Sequence, residues 1–303
     1  MYIQHQHQGY LYAVTATLTG SLVYIFSKAA LKEITLVQFG VYWFLFGFIW
    51  NTLFVLIKQR DTILFEKNRH NIKTLFLLGI IEIVATSTLY AAIFTTTDAS
   101  IPSFLRNLEY VFVALLGVFL LKERFLKIEI LGVVLTVCGA LIISYNKGTT
   151  LQSYLAGTSG FMLVSSVFYA VRTIIAKTHI HRLSPTMLAL NRAVFIMIFS
   201  FICLLLTSQS LTIPAMPLVN IIIGSFFGPF LTSTFQYSAL KYIDASKGAI
   251  IQSTTPLFVL IAGYLYFSRL PFMYQIFGGI LTIGGTFIMI IGKEFLNKKT
   301  FRK

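Results

Sequence analysis

Five ionisable side chains, Glu82, Arg106, Glu109, Arg172 and Arg192, lie inside long apolar runs of the sequence. A charge at the centre of a lipid-spanning helix costs about 2.5–3.5 kcal/mol on insertion scales, so such residues normally face a bundle interior or a watery cavity. Arg106 and Glu109 are three apart on one helix face and can pair. That pair reads equally well as structural or as part of a substrate or proton site. Three arginines against two glutamates leave one excess positive charge, and a planar guanidinium suits carboxylate or phosphate. This points to an anionic or zwitterionic ligand held by Arg172 or Arg192, with Tyr24, Trp43, Tyr90, Tyr110, Tyr169 and Tyr237 around it. Glu82 begins a face continued by Thr86 and Tyr90, while Tyr169 and Arg172 share another. With no partner in its own helix, Glu82 is the candidate proton carrier. Gln252, Thr255 and Pro256 form a further candidate binding or hinge element, because proline frees a carbonyl of the preceding turn. The hydroxyls of Thr17 and Ser21 read better as glue between helices.

Other chemistries find little support. The chain contains no H-E-x-x-H, G-x-S-x-G or P-loop pattern. Cys138 and Cys203 lie in apolar runs without metal-ligand spacing, and His5, His7, His179 and His181 read as solvent histidines rather than ligands. No catalytic residue, metal or cofactor is therefore expected. The net charge of +14 does not imply nucleic acid, because Lys and Arg cluster in short segments between apolar runs.

Those runs are the elements that must position the charges. With 56% hydrophobic and 11% charged residues, the composition departs far from the soluble norm of about 25% charged. Runs near 20 residues, the length needed to cross a bilayer, recur at 9–31, 36–57, 74–97, 100–121, 127–145, 154–176, 185–207, 217–240, 246–267 and 271–292. The predicted fold is all-α, a polytopic membrane protein of ten transmembrane helices. The first run follows MYIQHQHQ, which lacks the basic flank of a signal peptide, and is expected to be retained. Seventeen Lys and Arg fall on one side of this layout and four on the other. The richer side is predicted to be cytoplasmic, with both termini there.

The sequence also repeats itself at an offset of 146 residues. Thr86–Ser100, TSTLYAAIFTTTDAS, recurs as Thr232–Ser246, TSTFQYSALKYIDAS, and Gly132 and Gly139 recur as Gly278 and Gly285. Each repeat carries five spans, an odd number, so the second enters the membrane with inverted topology. Many secondary transporters build alternating access from such halves.

The segments NLEYVFVALLGVFLLKERF, Asn107–Phe125, and STTPLFVLIAG, Ser253–Gly263, resemble the fourth and ninth helices of the drug/metabolite transporter superfamily, and within it EamA-type proteins. The resemblance covers nearly the whole chain. It implies two EamA-like five-helix repeats, 1–147 and 148–303 with a short basic tail, around a central substrate cavity. Tyr110 and Arg269 depart from the proline and glutamate common in that family. The function expected is a secondary transporter of a small, amino-acid-like metabolite in the inner cell membrane, with protons as candidate coupling ion and the lipid bilayer as its surroundings. The alternatives are a membrane enzyme acting on a lipid-linked substrate and an exporter of cationic or amphipathic drugs.

Overall fold

A computed structural model of the chain describes residues 2–58, 68–121, 127–145, 157–243 and 245–300. The 147/148 boundary, Asp244 and the basic residues within 59–67, 122–126 and 301–303 lie outside the described residues. No strand occurs among the described residues. The helices are α1 (Tyr2–Leu31), α2 (Leu36–Lys58), α3 (Arg69–Thr95), α4 (Ser100–Leu105), α5 (Leu108–Leu121), α6 (Lys127–Ser144) and α7 (Thr158–His179). They continue with α8 (Pro185–Leu206), α9 (Ala215–Ser225), α10 (Ser233–Tyr242), α11 (Ala245–Gln252), α12 (Thr255–Phe267) and α13 (Met273–Thr300).

Seven helical stretches among the described residues are long and apolar enough to cross a membrane: His7–Leu31, Leu36–Ile57, Arg69–Thr95, Thr158–His179, Pro185–Leu206, Ala215–Tyr242 and Gly248–Phe267. A stretch of 22 residues rises about 33 Å, enough for a hydrocarbon core of about 30 Å. The remaining predicted spans are helical as well, as α4 with α5, as α6 and as α13. Large apolar side chains such as Leu206, 80% exposed, together with Leu205, Ile57 and Leu265, cover the outside. In water such a surface would be a liability, whereas in lipid it is the solvated face.

Helix starts follow local chemistry. Ser184 accepts a hydrogen bond from the Met187 amide at 3.2 Å and precedes Pro185, the first residue of α8. Asn68 accepts from the His70 amide at 3.1 Å and caps α3. Two C-termini are held by lysines reaching from neighbouring helices. Lys28 of α1 donates to the Ile93 carbonyl at 3.0 Å and to that of Thr96 at the end of α3. Lys177 of α7 donates to the carbonyls of Leu240 and Ile243, at 2.8 and 3.0 Å, where α10 ends. Each cation meets the negative end of a helix dipole. Lys28, which falls within the first predicted span, is buried in the bundle.

Three predicted spans are interrupted. The fourth breaks between α4 and α5 at Arg106 and Asn107, the ninth between α11 and α12 at Ser253 and Thr254. These breaks are 147 residues apart, within one residue of the repeat offset, and the Asn107 side-chain amide donates to the Ser253 carbonyl at 3.4 Å. Pro256 accounts for the second break, standing at the start of α12. The eighth span contains a π turn, Phe226–Thr232, around Pro229. Asn51 of α2 donates to the Pro229 carbonyl at 3.1 Å, and the Thr232 hydroxyl to that of Phe227 at 2.7 Å, so side chains satisfy carbonyls that the widened turn exposes.

Glycine permits the closest approach, between α6 and α13. A Cβ on Gly139 would stand 2.5 Å from the Gly278 carbonyl oxygen, and one on Gly132 2.6 Å from that of Gly285. Gly284, which the sequence places in the same packing stripe, has nothing within 4 Å. The Gly224 and Gly228 pair receives the indole of Trp43 instead of another helix backbone. Elsewhere α1 lies against α9 and α10, α7 against α3, and α2 against α8.

Candidate functional site

The five charges join in one chain, four of them buried and Arg106 partly exposed. Glu82 of α3 lies between two arginines, with Arg172 of α7 at 3.4 Å and Arg192 of α8 at 3.1 Å. Arg172 continues to Glu109 of α5 at 3.9 Å, and Glu109 pairs with Arg106 at 3.3 Å. Glu82, alone in its own helix, is thus bound by groups from three others. Its carboxylate also accepts from Tyr237 at 2.9 Å and from Thr86 at 3.0 Å. The Thr86 proton goes to Glu82, so the 2.9 Å contact between Thr86 and Tyr169 is one in which Tyr169 donates. Arg192 donates to Ser233, Thr86 and Tyr169, at 2.7, 3.2 and 3.2 Å.

Tyr169 sits between two cations, with the guanidinium carbons of Arg106 and Arg172 at 4.4 and 4.6 Å from its ring centre. Such contacts favour the charged guanidinium away from water. Hydrogen bonds and paired charges together meet the desolvation cost of the four buried ions.

Next to this chain is a cavity with about 60 Å³ open to the centres of water-sized molecules, room for a few waters. Tyr24, Tyr90, Tyr110, Arg192 and Gln252 line it, as anticipated, and so does Arg106. Arg172, Tyr169 and Tyr237 stand behind the wall in the ion chain. Trp43 is fully buried against Phe39 and Tyr90, with ring centres 4.7 and 5.8 Å away. Glu82 and Glu109 also lie outside the lining, which holds two arginines and no carboxylate among the described residues. The Tyr24 hydroxyl is buried there with Arg106 as a polar neighbour, and among the described residues it makes no hydrogen bond of normal length.

Four lining residues, Gln236, Ser103, Asn107 and Thr232, were not anticipated. Gln236 donates to Gln252 at 2.5 Å, and Ser103, Asn107 and Thr232 complete the polar lining with Thr255. The repeat offset would have found Gln236, since it pairs that residue with Tyr90, and it pairs Gln252 with Arg106. One half thus contributes a phenol and a cation where the other contributes two amides. Thr232 and Gly228 come from the π turn, which brings them to the cavity.

Comparison with known proteins bears on this geometry. The EamA-like transporter family matches twice, over residues 7–145 and 158–291. A Bacillus subtilis (strain 168) protein described as "Uncharacterized transporter YetK" is 26% identical over 216 residues. That match covers 68% of this chain and 63% of the relative, less than two thirds of the relative's length. A solved structure titled "Crystal structure of protein" superposes with a TM-score of 0.71 at 13% identity, over 95% of this chain and 98% of the other. At that identity it speaks for the fold alone. With nearly the whole length matched in two successive segments, the chain belongs to the EamA-like transporter family.

Proposed function

We propose that the protein is a secondary transporter that moves a small anionic or zwitterionic, amino-acid-like metabolite across the inner cell membrane by alternating access. The observation that carries this reading is the lining of the cavity among the described residues: Arg106 and Arg192 with no carboxylate, and a buried Tyr24 hydroxyl beside Arg106 that makes no hydrogen bond of normal length. A carboxylate accepts from both guanidinium and phenol. The amide pair in the same lining, Gln236 with Gln252, supplies donors and acceptors for a second polar group. A cationic drug would meet two like charges, which disfavours that alternative.

Two inverted five-helix repeats, 1–147 and 148–303, are the proposed architecture. The reciprocal packing supports it: Gly132 meets Gly285 while Gly139 meets Gly278, the pattern of a two-fold relation at an offset of 146. Helix breaks at equivalent positions and lysine clasps on the ends of α3 and α10 fit the same relation. Two such halves support alternating access, because near-equivalent repeats can exchange inward-facing and outward-facing arrangements around a site between them. Protons are the proposed coupling ion with Glu82 as carrier, which requires Arg172 and Arg192 to withdraw from it. The side rich in Lys and Arg is placed in the cytoplasm, with both termini.

Counterflow of labelled amino acids and other small anions into proteoliposomes tests the assignment. Arg106→Gln and Arg192→Gln are each expected to reduce uptake at least tenfold while the protein remains folded. Undiminished uptake by both variants would overturn the anionic reading.

A further inference from the structure

His70 opens α3 and His179 closes α7, and they lie 109 residues apart, one in each of the two matched segments. Their Nε2 atoms face each other at 3.4 Å, with ring centres 5.5 Å apart and planes inclined by 32°. Both residues are accessible at the end of the helix pair. On the far side of its ring, His179 Nδ1 is 2.9 Å from the Ile175 carbonyl. The Thr178 hydroxyl is also 2.9 Å from Nδ1, and it donates to the same carbonyl at 2.9 Å; with that proton so used, Nδ1–H donates and Nε2 of the neutral ring presents a lone pair toward His70. Anchoring Nδ1 on a backbone carbonyl is the usual way a metal-binding imidazole is oriented. Two nitrogens each about 2.0–2.1 Å from a tetrahedral zinc stand about 3.3–3.4 Å apart, so the observed separation equals the bite of such an ion. With its proton on Nε2, His70 donates a hydrogen bond to His179; with that proton on Nδ1, the two lone pairs converge on a point that a cation can occupy.

We propose that His70 and His179 form a two-imidazole site for a zinc-like divalent transition metal, with water in the remaining positions, and that the metal ties α3 to α7. No group of three or more His, Cys, Asp or Glu side chains suited to a metal occurs among the described residues. The site thus lacks the carboxylate oxygens that calcium or magnesium require, and imidazole nitrogen selects zinc, nickel or copper. The same two helices carry the Glu82–Arg172 ion pair about three turns further along α3. A metal between the histidines therefore clamps the helices that hold the central charges. This proposal stands on local geometry and does not depend on the identity of any cargo.

The chain has five histidines. The test uses full-length protein without a polyhistidine tag, carrying His5→Gln, His7→Gln and His181→Gln, so that only the facing pair remains. Zinc is titrated in detergent against a chromophoric chelator, and the thermal transition is followed with and without zinc. One equivalent bound per chain and a raised transition temperature are expected. His70→Gln and His179→Gln should each weaken binding at least tenfold. His70→Cys should retain it, because a thiolate also ligates zinc. An unchanged metal-free transition in each variant shows that the fold persists. Failure to bind one equivalent, or binding that survives either glutamine substitution, overturns the proposal.

Discussion

Glu82 and Glu109 occupy the same chain of charges but carry different burdens. Glu82 is the sole carboxylate within 4.0 Å of Arg192 among the described residues, and it also bears on Arg172. Glu109 shares Arg172 with Glu82, and its other partner, Arg106, has a side chain 20% exposed to the cavity. Removing one member of a buried pair strands the other, at a cost of about 3–5 kcal/mol. Glu82→Ala should fall in that range and Glu109→Ala well below it, as read from thermal unfolding in detergent. Equal losses would mean that the chain acts as one unit. The charges themselves were legible in the sequence, because a Glu or Arg within an apolar run stands out. Their connections were not, since four of the five meet across helices, and Arg106 with Glu109 is the one pair that helical spacing alone could supply. The same limit hid the meeting of His70 with His179.

Helix positions were legible because hydrophobic length is a strong signal, whereas interruptions were readable only where a residue announces them. Pro256 marked the break before α12 and Pro229 lies in the π turn. The break at Arg106 and Asn107 has neither proline nor glycine at it, and residues 100–121 read as one span. Glycines behaved similarly. Gly139 faces a backbone carbonyl, whereas Gly284 faces open space, a difference that residue type alone does not reveal. Gly139→Val should therefore drive α6 from α13 and cost more than the about 1–3 kcal/mol typical of overpacking, because a carbonyl cannot step aside like a side-chain tip. Gly284→Ala should be neutral or slightly stabilising, since alanine favours helix over glycine. Recovery of monodisperse protein by gel filtration, followed by melting, separates the two.

At the scale of the molecule, apolar girth and basic loops agree on a protein that lives in a membrane with a preferred orientation. A fluorescent or enzymatic reporter joined after Lys303 should be active in the cytoplasm. Adding lysines to the connection between α1 and α2, the side poor in them, should reduce that activity. A reporter active only outside would reverse the proposed orientation.

The unlike walls of the cavity bear on how a carrier would treat direction. Two identical halves would offer a cargo the same grip from either side of the membrane. Here Tyr90 and Arg106 in one half stand at positions equivalent to Gln236 and Gln252 in the other, so the two halves offer a cargo unlike groups and the inward-facing and outward-facing forms need not bind it equally well. Without a coupled gradient, reversibility still requires equal Vmax/KM for the two directions of flux. The asymmetry can therefore show itself only as KM and Vmax changing together between influx and efflux, with one direction saturating early and slowly and the other late and fast.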